Sequence, residues 1–320
     1  MITALKVDRF KSLRRLDLSC RRINLFVGEP NTGKSNILEA LGMLSWCGRL
    51  EATINSFVRF QLTQNLFYDN LTDAPLRIEC QGQPSSVLLV KFEGERFHFQ
   101  LNDKRAAMLD YRGKGSVSRR SPEVSSIKFY RYHVLERYTS AEPGSLLPPH
   151  GANLFSVVYG SKEMRDWVVE LFRPYELAVV LRPHDRTIEL QKQQDGVVIA
   201  YPFRMTSDTM QRMLFYYVAM ESNKDSVLIF EEPEAHAFPY YTKHLGERIA
   251  LNSSNQFFIA THSPYLLVAV LEKAKKEDVA VFATQYRDFE TKVRALTEQQ
   301  IAQLLEADPF LGLESVLEEG

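Results

Sequence analysis

Eight consecutive residues, Gly28-Glu29-Pro30-Asn31-Thr32-Gly33-Lys34-Ser35, fit the pattern G-x-x-x-x-G-K-[ST] in full. These residue types suit one task, the holding of a chain of phosphates. The two glycines let the backbone turn tightly and aim its N–H groups at phosphate oxygens. Lys34 can reach β- and γ-phosphates, and the Ser35 hydroxyl can ligate Mg2+. Asn31, Thr32 and Asn36 complete the candidate cradle around Gly28, Gly33, Lys34 and Ser35.

Two later segments carry complementary chemistry. The apolar run Val227-Leu228-Ile229-Phe230 ends in Glu231-Glu232-Pro233-Glu234. A carboxylate at the end of a buried strand can hold Mg2+, directly or through water. The next carboxylate can orient or deprotonate an attacking water. Glu231 is therefore assigned to the metal and Glu232 to general base catalysis. A second apolar run, Phe257-Phe258-Ile259-Ala260, ends in Thr261-His262-Ser263-Pro264. His262 is assigned a place beside the γ-phosphate. His98, His133, His150, His184 and His244 read as structural or exposed, and His236 as a local loop contact.

These side chains need particular elements behind them. Residues 2–9 and 13–19 read as strands joined by a turn, and 23–27 as a buried central strand stopping at Gly28. Residues 36–46 are apolar at helical spacing, which predicts a helix packed on one face. Its N-terminus would add positive potential to the cradle. Residues 76–80, 86–92 and 96–101 read as antiparallel strands with turns between them. The polar, glycine-containing stretch 103–126 reads as a mobile loop or lobe boundary. Residues 135–180 read as mixed to helical, followed by a hairpin over 178–203 turning at Asp195-Gly196. Then helices (207–220, 241–250, one after Ser263, and 297–307) alternate with strands (226–230, 256–260, 279–284). That alternation predicts a partly parallel α/β sheet.

Bulk properties exclude several classes. The 320-residue chain has a net charge of −1, which argues against a generally basic nucleic-acid surface. A local patch stays open. Residues 104–131 hold Lys104, Arg105, Arg112, Lys114, Arg119, Arg120, Lys128 and Arg131 against Asp110 and Glu123. That segment either binds nucleic-acid phosphates or an acidic partner, or is a solvated loop. Cys20, Cys47 and Cys80 have no metal-ligand spacing and read as reduced thiols of a cytoplasmic protein. The first ten residues have charges among the apolar side chains and do not form a signal peptide. No run approaches the roughly 20 apolar residues of a membrane span.

Taken together, these residues resemble the ABC-type ATPases of the SMC, RecF and OLD group, often described as AAA-family ATPases. The resemblance rests on Leu5 to Leu13 followed by Ile23 to Gly28, on Glu231-Glu232-Pro233-Glu234-Ala235-His236, and on Ile259 to Pro264. It implies an α/β fold. An ABC-type P-loop NTPase core with a mixed, partly parallel sheet would carry an antiparallel β subdomain and an inserted mixed or helical lobe. The corresponding division is one ATPase domain with an N-terminal lobe (1–130), an inserted lobe (131–205) and a C-terminal lobe (206–320). The implied cofactors are ATP and Mg2+. The implied assembly is a homo-oligomer, at least a dimer, in which Ser207 contacts the nucleotide held by a second subunit. Ser207 also suits the N-cap of the helix that follows it.

The chain departs from the family in three places. Thr209 stands where a glycine is usual, which puts fast hydrolysis in doubt. Ala237-Phe238-Pro239 replaces Leu-His-Pro. No glutamine coupling Mg2+ to the inserted lobe stands out, although Gln61 and Gln64 are candidates. The stretch after His262 is too short for the Toprim nuclease domain of OLD proteins, and no heptads suggest SMC arms. The resemblance thus implies a stand-alone ATPase controlling a separate effector, such as a nuclease or toxin, in defence against phage. Two alternatives remain: a nucleotide-gated scaffold with little turnover, and a RecF-like DNA-repair ATPase.

Overall fold

Apolar alternation forms the first strands, and a mostly apolar run forms the third. A computed structural model describes residues 1–49, 53–118 and 120–306. The chain runs β1 (Ile2–Phe10), β2 (Leu13–Ser19), β3 (Ile23–Val27), α1 (Lys34–Cys47), β4 (Leu76–Gly82), β5 (Ser86–Glu93), β6 (Arg96–Leu101), β7 (Lys104–Leu109), β8 (Gly115–Val117) and β9 (Ile127–Tyr130). It continues with α2 (Leu154–Gly160), α3 (Lys162–Phe172), β10 (Ala178–Arg182), β11 (Thr187–Gln194), β12 (Val197–Pro202), α4 (Asp208–Glu221) and β13 (Val227–Glu231). The last elements are α5 (Pro239–Leu251), β14 (Gln256–Ala260), α6 (Pro264–Lys273), β15 (Val279–Arg287), β16 (Glu290–Ala295) and α7 (Glu298–Glu306).

The strands form three sheets. A seven-stranded antiparallel sheet has the order β2-β1-β4-β5-β6-β7-β8. A six-stranded sheet has the order β16-β15-β3-β14-β13-β9, parallel throughout except for the β15–β16 pair. A three-stranded antiparallel sheet, β10-β11-β12, lies between α3 and α4 in the chain. This is the mixed α/β fold that the alternation of strands and helices predicts.

Two cores hold the layers together. In one, Ile37, Leu41 and Leu44 of α1 meet Val7, Ile78 and Val90 of the antiparallel sheet, and Phe26, Ile229 and Phe258 of the parallel one. In the other, Leu25, Phe230 and Ile259 from the opposite face of the parallel strands meet Leu214, Val218, Ile249 and Leu266 of α4, α5 and α6. Strands buried on both faces read as near-continuous apolar runs, and β3, β13 and β14 do, apart from Asn24, Glu231 and Gln256.

The structure corrects three local expectations. Helix α1 is not packed on one face. It is buried on nearly all sides, Glu39 included, because it lies between two sheets. The stretch 103–126 is not a loop throughout, since β7 and β8 extend the antiparallel sheet. The charged start Lys104-Arg105 and the small Ala106 and Ala107 disguise that alternation, and a bulge near Phe99 breaks its register. The expected hairpin over 178–203 gains a third strand, with Asp195-Gly196 turning between β11 and β12. Arg119 and Ala307 lie outside the described residues.

Candidate functional site

The order of the parallel strands decides where the chemistry collects. β3, β14, β13 and β9 are successive neighbours and run the same way. Their C-terminal ends deliver Gly28, His262, Glu231 with Glu232, and Arg131 to one edge of the sheet. The crevice outside the carboxyl ends of parallel strands is where α/β folds bind ligands. Segments separated by about two hundred residues in the sequence thus converge through strand pairing.

The cradle is built on glycine conformations that other residues rarely adopt. Gly28 has φ +152° and Gly33 φ +95°. A Cβ on Gly28 would lie 2.5 Å from the Thr284 carbonyl oxygen, and one on Gly33 2.0 Å from Thr291 Oγ1. Asn31, at the exposed crest, has φ +62°. Lys34 begins α1 and folds back over the bend, its Nζ donating to the carbonyls of Gly28 at 2.8 Å and Glu29 at 2.7 Å. Burial pushes its ammonium down to about 8, against the opposing pull of Glu232. A buried cation bonded to carbonyls in a glycine turn is poised for a polyanion.

A ladder of hydroxyls supports the bend from below. Thr32 Oγ1 donates to or accepts from Thr284 Oγ1 at 2.7 Å, and Ser12 Oγ meets Thr291 Oγ1 at 2.6 Å. Asn36 Nδ2 donates to Ser12 Oγ at 2.7 Å. Asn36 therefore braces the cradle through Ser12. Sequence reasoning missed Ser12, Thr284 and Thr291, which carry no motif and come from β15, β16 and the β1–β2 turn.

Opposite the cradle, the Ser35 hydroxyl lies near enough to Glu231 to help hold its carboxyl down. A hydroxyl beside a carboxylate is a pair of hard-oxygen donors of the kind that Mg2+ takes. The residues therefore fit that ion. Burial raises the Glu231 carboxyl, but Arg131 and Arg59 outweigh it and hold the group below the usual carboxylate range. Glu232 follows with φ +44°, an uncommon conformation for a residue with a side chain, and its N–H donates to Ala260 O at 3.0 Å. Its Oε1 lies 3.5 Å from His262 Nε2. Burial, followed by the charge of Lys34, lowers the His262 imidazole below its ordinary value, which keeps the ring neutral at pH 7.

Glu234 sets the geometry of the histidine. Its Oε1 accepts from Thr261 Oγ1 at 2.6 Å and from the His262 N–H at 2.9 Å. Burial raises its carboxyl above the ordinary range. The third acidic residue of the motif is thus a buried tie between two loops.

Among the described side-chain hydrogen bonds to Glu231, none comes from Gln61 or Gln64. The side chains that reach Glu231 are Ser35, Arg59 and Arg131. Both arginines also bond Glu39, a fully buried carboxylate on α1 that Lys11 holds from a third side. None of Lys11, Glu39, Arg59 and Arg131 was assigned to the site from sequence. Arg131 belongs to the basic stretch 104–131 in sequence, but it turns inward to Glu231 and Glu39. Lys128 also turns inward, to Ser145 at 2.7 Å and to Asn223. Lys104 pairs with Glu123 at 3.4 Å, and Arg105 donates to Ser116 at 2.9 Å.

Ser207 caps α4 as expected, its Oγ accepting from the Met210 N–H at 3.4 Å. Thr209 Oγ1 donates to the His236 carbonyl at 3.1 Å, which ties the start of α4 to the loop after Glu234. That contact is made through the His236 backbone carbonyl.

With this geometry in view, comparisons place the fold. The chain superimposes on the head of an Smc protein bound to the C-terminal winged-helix domain of ScpA, with TM-score 0.58, 15% identity, and coverage of 94% of this chain and 99% of that one. An Smc head domain with an extended coiled coil, bound to the C-terminal domain of ScpA and derived from Pyrococcus furiosus, gives TM-score 0.58 at 14% identity, covering 95% and 98%. In fold this chain is similar to these Smc head domains. Residues 171–269 match the AAA domain family whose description carries "AbiEii toxin, Type IV TA system". No curated protein sequence matches the chain. No helix among the described residues is long and apolar enough to cross a membrane.

Proposed function

We propose that this chain binds ATP with Mg2+ at the edge of its parallel sheet, hydrolyses it, and uses the cycle to control a separate effector. The observation that carries this reading is the convergence of Lys34 and Ser35 with Glu231, Glu232 and His262 on neighbouring parallel strand ends. Gly28, Asn31, Thr32, Gly33 and Asn36 shape and brace the cradle. Ser35 and Glu231 would hold the metal, which neutralises phosphate charge when bound. Glu232 takes the proton from the attacking water as its oxygen bonds to the γ-phosphorus and the β–γ bridge breaks. His262, neutral and 3.5 Å from Glu232, lies where it can hold the γ-phosphate.

Ser207 is proposed to complete the site of a second copy, since a capped helix start presents N–H groups and positive potential to a phosphate. The assembly is then at least a dimer around ATP. A nuclease or toxin as effector, and a role in phage defence, rest on the resemblance and on the toxin–antitoxin description of the matched family. A cytoplasmic location accords with the cysteines, of which Cys47 and Cys80 are free and buried.

A nucleotide-gated scaffold with slow turnover is the second reading, favoured by Thr209 and by the arginines on Glu231. A DNA-repair role has less support, because Lys128 and Arg131 turn away from solvent. Phosphate release by wild type and Glu232→Gln, measured together with molecular mass with and without ATP, separates these readings. Hydrolysis predicts that Glu232→Gln binds ATP, stays assembled and releases almost no phosphate. Unchanged turnover in that variant removes Glu232 as the base. ATP-driven assembly with negligible wild-type turnover selects the scaffold.

A further inference from the structure

The cluster around Glu231 carries more than a metal site needs. Arg131 Nε donates to Glu231 Oε2 at 2.8 Å, and its Nη2 donates to Glu39 Oε1 at 3.1 Å. Arg59 Nη2 donates to Glu231 Oε1 at 2.8 Å, and its Nε to Glu39 Oε1 at 2.7 Å. Lys11 Nζ bonds Glu39 and also donates to the Arg59 carbonyl at 2.7 Å. Three cations thus surround two carboxylates, and each oxygen of Glu231 already has a guanidinium. A free divalent ion arriving here would be repelled and would find the carboxylate taken. An ion arriving on a polyphosphate brings its own negative charge.

The two arginines are not equivalent. Arg59 is 59% exposed, so water competes for its bonds. Arg131 is 22% exposed and lies over the Phe129 ring at 5.1 Å. Its backbone is tied at both ends, the N–H donating to Pro149 O at 3.0 Å and the carbonyl meeting His150 Nδ1 at 2.8 Å. The next residue, Tyr132, donates its hydroxyl to Gln211 Oε1 at 2.8 Å and lies under the Arg212 guanidinium at 4.7 Å. Adjacent residues therefore touch the metal carboxylate and α4, the helix that Ser207 caps.

Building on the ATP-binding reading, we propose that Arg131 is a positioning residue that closes Glu231 to free divalent cations. It yields to a cation carried on a polyphosphate, and its displacement moves the 132–150 segment and the start of α4. Metal occupancy in one subunit is thereby reported to the surface that meets the next.

The test uses Mn2+ as the probe, without nucleotide, on wild type, Arg131→Met and Arg131→Lys. Glu231 keeps Arg59 in Arg131→Met, and Glu39 keeps Lys11 and Arg59, so neither carboxylate is stranded. Electron paramagnetic resonance should show Arg131→Met binding Mn2+ at least about tenfold more tightly than wild type, with Arg131→Lys staying close to wild type. Should Arg131→Met fail to fold, Arg131→Gln takes its place in the same comparison. Equal Mn2+ affinity in wild type and the neutral variant overturns the proposal. Hydrogen exchange over 132–150 and the first turn of α4 should change when Mg2+ and a non-hydrolysable ATP analogue bind wild type, and change less in the neutral variant. An identical response in both overturns the coupling. Titration of wild type with a fluorescent ATP analogue in the presence of Mg2+ is read separately. No binding there counts against the ATP reading, which the nucleotide-free Mn2+ contrast does not depend on.

Discussion

The phosphate cradle and the cluster around Glu39 sit side by side, yet they are encoded in opposite ways. The cradle is eight consecutive residues whose glycines fix the bend, and Lys34 closes it within six residues of Gly28. The cluster takes Lys11, Glu39, Arg59, Arg131 and Glu231 from five separate places in the chain. A backbone that presents its own N–H groups needs only local sequence. Buried charges need partners that only the tertiary fold brings, because leaving one unpaired is costly.

Loss of one member should therefore damage the cluster most. Glu39→Gln leaves Lys11, Arg59 and Arg131 facing a weakened acceptor in a buried setting. It should cost about 3–5 kcal/mol in urea denaturation. A cost below about 1 kcal/mol, the range of surface pairs, would break the contrast.

The cradle should fail in binding rather than in folding. Lys34→Ala should weaken ATP affinity by about 100-fold, the size of a lost charge-assisted bond, with little change in melting temperature. Undiminished affinity would remove Lys34 from the phosphate site.

Proton linkage offers a smaller effect with a defined sign. With the Lys34 ammonium pushed down to about 8, the free protein holds a growing share of neutral amine as pH rises beyond that value. A bound triphosphate favours the charged form, so binding takes up a proton there and affinity falls, by up to about tenfold per pH unit. Calorimetry at about pH 8.5 in two buffers of different ionisation enthalpy should show that uptake. Its absence would place the lysine outside the ligand's field.

The smallest change sharpens the comparison. Ser12→Ala removes the group that joins Asn36 to Thr291. It should cost about 1 kcal/mol of stability and only a few-fold in affinity. A loss as large as that of Lys34→Ala would mean that the cradle also depends on distant residues.

The same contrast explains how much could be read in advance. Strands β3, β13 and β14 and their terminal Gly28, Glu231 and His262 were legible because apolar runs ending in polar motifs are contiguous. The cap Ser207 and the turn Asp195-Gly196 were legible for the same reason. Arg131 was grouped with a surface charge run because nothing local distinguishes an arginine that leaves a strand into a crevice from one that faces water. Glu39 lay within an apparently one-faced helix. Only the second sheet over α1, which sequence periodicity does not report, makes that position interior. Ser12, Thr284 and Thr291 are ordinary hydroxyls until β15 and β16 set them under the cradle.

The most direct measurement is a double-mutant cycle on nucleotide affinity with Lys34→Ala and Glu231→Gln, run once with Mg2+ and once with EDTA. If the bend and the carboxylate hold the same triphosphate through one metal, Glu231→Gln weakens binding only when Mg2+ is present. The two substitutions are then non-additive with the metal and independent without it. Additive losses of equal size in both conditions would contradict a shared site.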